Sequence, residues 1–270
     1  KDGRRSDSVL AAIMFGMAVA TKFSVLPLGL ALVFAHLIFA TSRRGDRYDS
    51  FGAAPDDASK QRRIAYQNML ITAVVVLVVL IVVQPYMFID FKTYVDNIST
   101  QGQMVRREVD FPFTRQYEDT PRYFYQAVQL GTWGLGPALG LTVLLGLIGS
   151  VIAGVLAQRK VDLVILAWVL PYLFITGWFD VKFMRYMMPI TPFLILYGAR
   201  FLWWVFEVIK SLQPSKRWLQ LLPIGLILVF TVHYSFSFMS VYSGQHPLNE
   251  VSRWLRGNAD AGSQVVQEHW

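Results

Sequence analysis

The chain has 270 residues, of which 54% are hydrophobic and 16% charged, with a net charge of +7 at pH 7 and no cysteine; its mean hydropathy is +0.40. A soluble domain carries about 25% charged residues, so an ordinary water-soluble domain is excluded, and the missing cysteines exclude disulfides, thiolate catalysis and zinc–thiolate sites. The positive charge is not a nucleic-acid footprint, because the basic residues are scattered over short loops instead of gathered on one face.

Charge is segregated along the chain. None occurs in the 26 residues from Ile64 to Ile89, the 36 from Tyr123 to Gln158 or the 32 from Trp218 to Asn249. About 20 helical residues cross a hydrocarbon core of about 30 Å, and solid apolar runs without alternation exclude a β-barrel. The expected fold is all-α: a polytopic transmembrane helical bundle, multi-pass in the cell inner (plasma) membrane. In chain order, segments are placed at 9–21, 23–40, 66–89, 136–157, 162–178, 186–208 and 218–239. Residues 9–21 give a helix of only about 20 Å, so the first two segments read as a short or tilted hairpin tipped by Ala20-Thr21-Lys22-Phe23-Ser24. The count is therefore six to seven.

Basic residues assign the sides. Segments 1–8, 41–65, 158–161 and 209–217 carry Lys1, Arg4, Arg5, Arg43, Arg44, Arg47, Lys60, Arg62, Arg63, Arg159, Lys160, Lys210, Lys216 and Arg217, and are expected to be cytoplasmic. The Lys22 tip, the 90–135 loop, the 179–185 turn and the 240–270 tail then face outside. Residues 1–239 form the membrane region, and 240–270 begin an extracytoplasmic tail or domain. The 41–65 stretch, rich in Gly, Ala, Ser and Asp, has the composition of a flexible linker. The aromatic- and proline-rich 90–135 loop is expected to be ordered. The first residue is Lys1 and no signal peptide is recognisable, so the chain is expected to be the later part of a longer one.

Three elements converge on the outer face. Lys22 is either an interfacial lysine snorkelling to the headgroups or a cation held beside an anionic ligand. In WFDVKFMRYMMPITPF (178–193), Lys182 and Arg185 are three apart and would share a face of a helix, with Pro189 and Pro192 bending it to open a cavity. The plainer alternative makes them end-of-helix anchors, with Asp180 pairing to one of them. The loop adds the acids Asp110 and Glu118, the base Arg115 and aromatics such as Tyr117, which suit either a sugar ring or a lipid interface. Arg200 lies within an apolar segment and must face protein or water; Glu207 is its expected partner. His233 stands alone, so no metal site is assigned. No phosphate-binding loop, metalloprotease motif or nucleophile elbow occurs.

Several stretches together carry a resemblance: GMAVATKFSVLPL, QPYMFID, RREVDFPFTRQYEDTPRYFY followed by WGLGPALGL, RYMMPITPFLILYGARFL and the tail VSRWLRGNADAGSQVVQEHW. Their order and topology resemble bacterial family-39 glycosyltransferases, membrane enzymes of the GT-C class related to protein mannosyltransferases and to lipid A aminoarabinose transferases. The resemblance implies transfer of a sugar from a polyprenyl-phosphate carrier, on the extracytoplasmic side, to a lipid, isoprenoid or protein acceptor. It implies no cofactor beyond that donor. It matches Lys22 and Arg185 to positions where cations face the carrier phosphate, with Lys182 a weaker third cation. Asp110, Arg115, Tyr117 and Glu118 are the substrate-loop candidates. The family's catalytic aspartate lies upstream of Lys1, so no residue here is matched to it. The expected partners are membrane lipids and the lipid-linked sugar, with other membrane proteins in a larger complex as a further expectation, and no nucleic acid. The rival reading is a non-catalytic membrane subunit that uses the same scaffold for packing. A transporter, which would need broken helices with polar residues at the midplane, fits less well.

Overall fold

The structure is a computed structural model, and it describes residues 4–41, 58–156, 159–260, 262–264 and 266. Among these, the regular structure is entirely helical: α1 (Arg5–Thr21), α2 (Leu28–Thr41), α3 (Ala58–Val83), α4 (Tyr86–Ile89), α5 (Phe91–Val105), α6 (Phe124–Gln129), α7 (Pro137–Leu156), α8 (Lys160–Trp178), α9 (Thr191–Leu212), α10 (Arg217–Met239) and α11 (Pro247–Asn258). Short 3-10 turns at Phe23–Val25, Pro112–Tyr117 and Met184–Met187 join them. Six helices are long and apolar enough to cross a membrane, beginning at Phe23, Ala58, Pro137, Lys160, Thr191 and Arg217. The chain is therefore read as a multi-pass membrane protein. The 17-residue α1 is shorter than these.

Helix α8 packs against α2 and α7 and more lightly against α9. Its Trp168, Val169 and Tyr172 form the middle of a buried cluster with Val19, Val143, Ile190, Leu194 and Tyr197. The helix pairs close through glycines. A Cβ on Gly146 of α7 would stand 2.1 Å from the Tyr197 carbonyl oxygen of α9, and one on Gly16 of α1 would stand 2.8 Å from Val79 of α3. Small residues let helix backbones approach where lipid supplies no hydrophobic drive to associate.

Two expectations need correction. The linker expected at 41–65 falls mostly at 42–57, outside the described residues, but 58–65 are the first turns of α3. Ser, Lys, Gln and Arg are compatible with helix there. Gln61 is buried and donates to the Phe39 carbonyl, one of the orphan acceptors in the last turn of α2. The prolines do not bend a helix either. Pro192 occupies the first turn of α9, where its missing N–H costs nothing, and Pro189 precedes the helix.

The 90–135 region is folded. Asp90 caps α5 by accepting from the Thr93 N–H at 3.3 Å, and the Asp180 and Val181 N–H groups both donate to the Val105 carbonyl, at 3.0 and 3.1 Å. The loop is thereby tied to the far end of α8.

Candidate functional site

At the end of α1 the backbone of Lys22 turns extended, with φ −152° and ψ 108°, and its N–H donates to the Ala18 carbonyl at 2.9 Å. The side chain is thus thrown off the helix axis, and its Nζ lies 5.5 Å from the centre of the Tyr186 ring. Arg185 reaches the same tyrosine from the 3-10 turn: its guanidinium sits 4.4 Å from the Phe183 ring centre and within hydrogen-bonding reach of the Tyr186 hydroxyl. Two cations 163 positions apart in sequence therefore meet around one ring.

The electrostatics agree with the geometry. Partial burial pushes the Lys22 ammonium below the usual lysine range, and the Arg185 charge pushes it the same way. Burial raises the Tyr186 phenol, with Arg185 opposing. Tyr117 is pushed up to about 12, chiefly by burial, with Tyr125 and Tyr186 adding and Arg185 opposing. Tyr117 thus belongs to the same chamber, edge-on to Phe183 at 5.4 Å and to Tyr125 at 5.9 Å. None of the ion pairs among the described residues includes Lys22 or Arg185.

Tyr172, not anticipated from the sequence, holds the two halves together. Its buried hydroxyl donates to the Tyr186 carbonyl at 2.7 Å, and the Ser24 side chain reaches the same hydroxyl. Phe23 packs edge-on against Tyr94 of α5, centroids 6.4 Å apart. The hairpin tip, α8, the Arg185 turn and α5 are thereby fastened around the site. A Tyr beside an Arg in MRYM was the only available sequence signal for Tyr186.

Lys182 does not join Arg185. It is 3% exposed, and its ammonium donates to the Thr120 hydroxyl at 3.0 Å and to the Asp180 carbonyl at 2.9 Å. Residues 180–183 are not helical, so the spacing of three puts Lys182 inward and Arg185 outward. Nor does Asp180 pair with either base. Its carboxylate accepts from Arg122 at 2.8 and 3.0 Å, and that guanidinium stacks 4.4 Å from the Trp178 ring centre. The other loop candidates are split. Asp110 accepts from Arg115 at 3.1 Å in an exposed pair, which holds its carboxyl below the usual range. Glu118 pairs with Arg107.

Arg200 pairs with Asp162 of α8, not with Glu207, which is held by Lys210 at 3.1 Å. Among the described residues no group of three or more His, Asp or Glu is placed to hold a metal ion. No family model, curated protein or solved structure matches the chain.

Proposed function

We propose that the chain is the membrane region of a polyprenyl-phosphate-dependent glycosyltransferase of the GT-C kind, working on the extracytoplasmic side, with Lys22 and Arg185 holding the carrier phosphate. The observation that carries this reading is the meeting of those two cations at Tyr186 with no carboxylate paired to either among the described residues. Like charges held together raise each other's cost, and an anion between them removes it. Arg185 suits a phosphate through its planar fork and Lys22 as a point charge.

During transfer an acceptor hydroxyl attacks the anomeric carbon, the bond from that carbon to the phosphate oxygen breaks, and the phosphate leaves with the electron pair. Lys22 and Arg185 would stabilise the charge as it develops on that oxygen. The acceptor proton must pass to a carboxylate base, and no residue of this chain is assigned that role. Beside the hairpin, Phe15, Leu26, Leu30, Val33 and Val76 line an open apolar groove of about 710 Å³. It starts four residues beyond Lys22 and gives an isoprenoid tail a place to lie.

Titration of undecaprenyl phosphate into the detergent-solubilised protein tests the reading. Losing one charge-assisted hydrogen bond costs about 1.5–3 kcal/mol, so Arg185→Ala and Lys22→Ala should each weaken binding roughly 10- to 150-fold. Arg185→Lys should recover only part of it, and the double variant should lose less than the sum. Unchanged affinity in Arg185→Ala would reject the phosphate site. One observation favours the rival packing subunit: of all its residues α10 buries only Gln220, leaving its flank free for another membrane protein.

A further inference from the structure

Helix α10 runs 23 residues from Arg217 to Met239. That is about 35 Å of helix, enough to cross a hydrocarbon core of about 30 Å and bring Met239 to its far boundary. Residues 240–246 then lead into α11. Ser240–Ser243 form a 3-10 turn, and Gly244 and His246 are extended. Such a connection spans at most about 20 Å, so α11 begins close to the membrane surface. Its start is set locally: Pro247 occupies the first helical position, and the His246 ring accepts from the Leu248 N–H at 3.3 Å. On the helical wheel Leu248, Val251, Trp254 and Leu255 share an arc of about 120°. Asn249, Arg253 and Arg256 lie opposite. Asn258, a polar residue within the apolar arc, ends the helix, and its amide donates to the Trp254 carbonyl at 2.8 Å. Leu248, Val251 and Trp254 are 64%, 53% and 63% exposed, and α11 buries none of its residues.

We infer that α11 lies flat in the headgroup layer of the bilayer, with Leu248, Val251, Trp254 and Leu255 turned into the lipid. The short connection to a membrane-crossing helix is what selects lipid as the partner, because it holds the apolar face beside the bilayer. At 12 residues the helix is about 18 Å long, too short to cross. Arg253 and Arg256 on the far side keep it from sinking. An apolar face of Trp and Leu, a charged opposite face and low overall hydropathy are the properties of a helix that rests in the interface plane. Aromatic side chains mark the same level: Trp254 on α11, and Tyr242 in the connection, edge-on to Phe238 with centroids 5.9 Å apart. Glu250 offsets one of the two arginines, so apolar contact drives the docking and an uncharged lipid surface suffices. The inference is independent of the carrier-phosphate reading.

Site-directed spin labelling of the full chain in phosphatidylcholine vesicles tests this, and the sequence contains no cysteine to remove. Labels would be attached one at a time through Leu248→Cys, Val251→Cys and Leu255→Cys, and through Asn249→Cys, Arg253→Cys and Arg256→Cys. The first three should collide more with oxygen, which concentrates in lipid, than with a water-soluble nickel chelate. The other three should show the reverse, with a period of 3.6 residues along the helix. Leu248→Asp with Val251→Asp should abolish the lipid contact of a label at Leu255. It should leave the unfolding temperature unchanged, because α11 adds no buried residue to the bundle. Equal access of the nickel chelate to both faces overturns the inference. So does shielding of the apolar face from both reagents, as a protein partner would produce, or lipid contact that survives the double substitution.

Discussion

Lys22 gives the phosphate reading a pH signature. Burial and Arg185 depress its pKa below the ordinary value of 10.5. A lysine with a depressed folded pKa binds its proton less tightly when folded, so its contribution to stability rises as pH climbs from the folded to the unfolded value. Carrier binding has the opposite slope, because it needs the charged form. Binding of undecaprenyl phosphate should therefore fall as the medium becomes alkaline, starting below pH 10.5, and Lys22→Arg should remove that falling limb. An unaltered limb in Lys22→Arg would show that another group is titrating. The two cations were legible in the sequence because charges inside apolar runs stand out. What separates Arg185 from Lys182 was not, since a spacing of three places side chains only once the backbone conformation is known. Tyr172 was hidden for a related reason: its hydroxyl acts on Tyr186 and Ser24, contacts made only by folding.

At the scale of helices, the α7–α9 crossing depends on the absence of a side chain at Gly146. Gly146→Val would force a methyl group into the Tyr197 carbonyl, 2.1 Å from the Cβ position, and part the helices. Overpacking of this kind costs about 1–3 kcal/mol, read as a lower unfolding temperature in detergent. Gly149→Ala is the matched control, because that position is open, and it should be neutral or stabilising by up to about 1 kcal/mol. The membrane helices were legible from charge-free length alone. Their ends were not: residues 58–65 belong to α3 because Gln61 and Ala65 find burial against the end of α2, which composition could not reveal. Arg200 chose Asp162 for the same reason. Glu207 lies two turns along its own helix, whereas Asp162 comes from a neighbour packed alongside.

For the whole molecule, the distribution of short-loop bases predicts the sides, and the absence of cysteine from the sequence makes that prediction easy to test. A single cysteine at Asp110 should react with an impermeant maleimide on intact cells, and one at Ser59 only after permeabilisation. The reverse pattern would invert the protein in the membrane and move the Lys22–Arg185 site to the cytoplasm, where the proposed chemistry would not run.

The Asp162–Arg200 pair also bears on how the protein is made. Helix α9 is the least apolar of the six candidate spans and carries Arg200 near its middle. An arginine there costs about 2.5–3.5 kcal/mol during partition from the translocon into lipid. Asp162 belongs to α8, which is synthesised first and is joined to α9 by only 12 intervening residues. The nascent chain can thus present α9 with its counter-ion already alongside, and the two helices would enter the bilayer as one hairpin. The acid that anchors Arg200 in the finished bundle would then act earlier as its chaperone, and its removal would lower the yield of inserted α9 before it affected the folded protein.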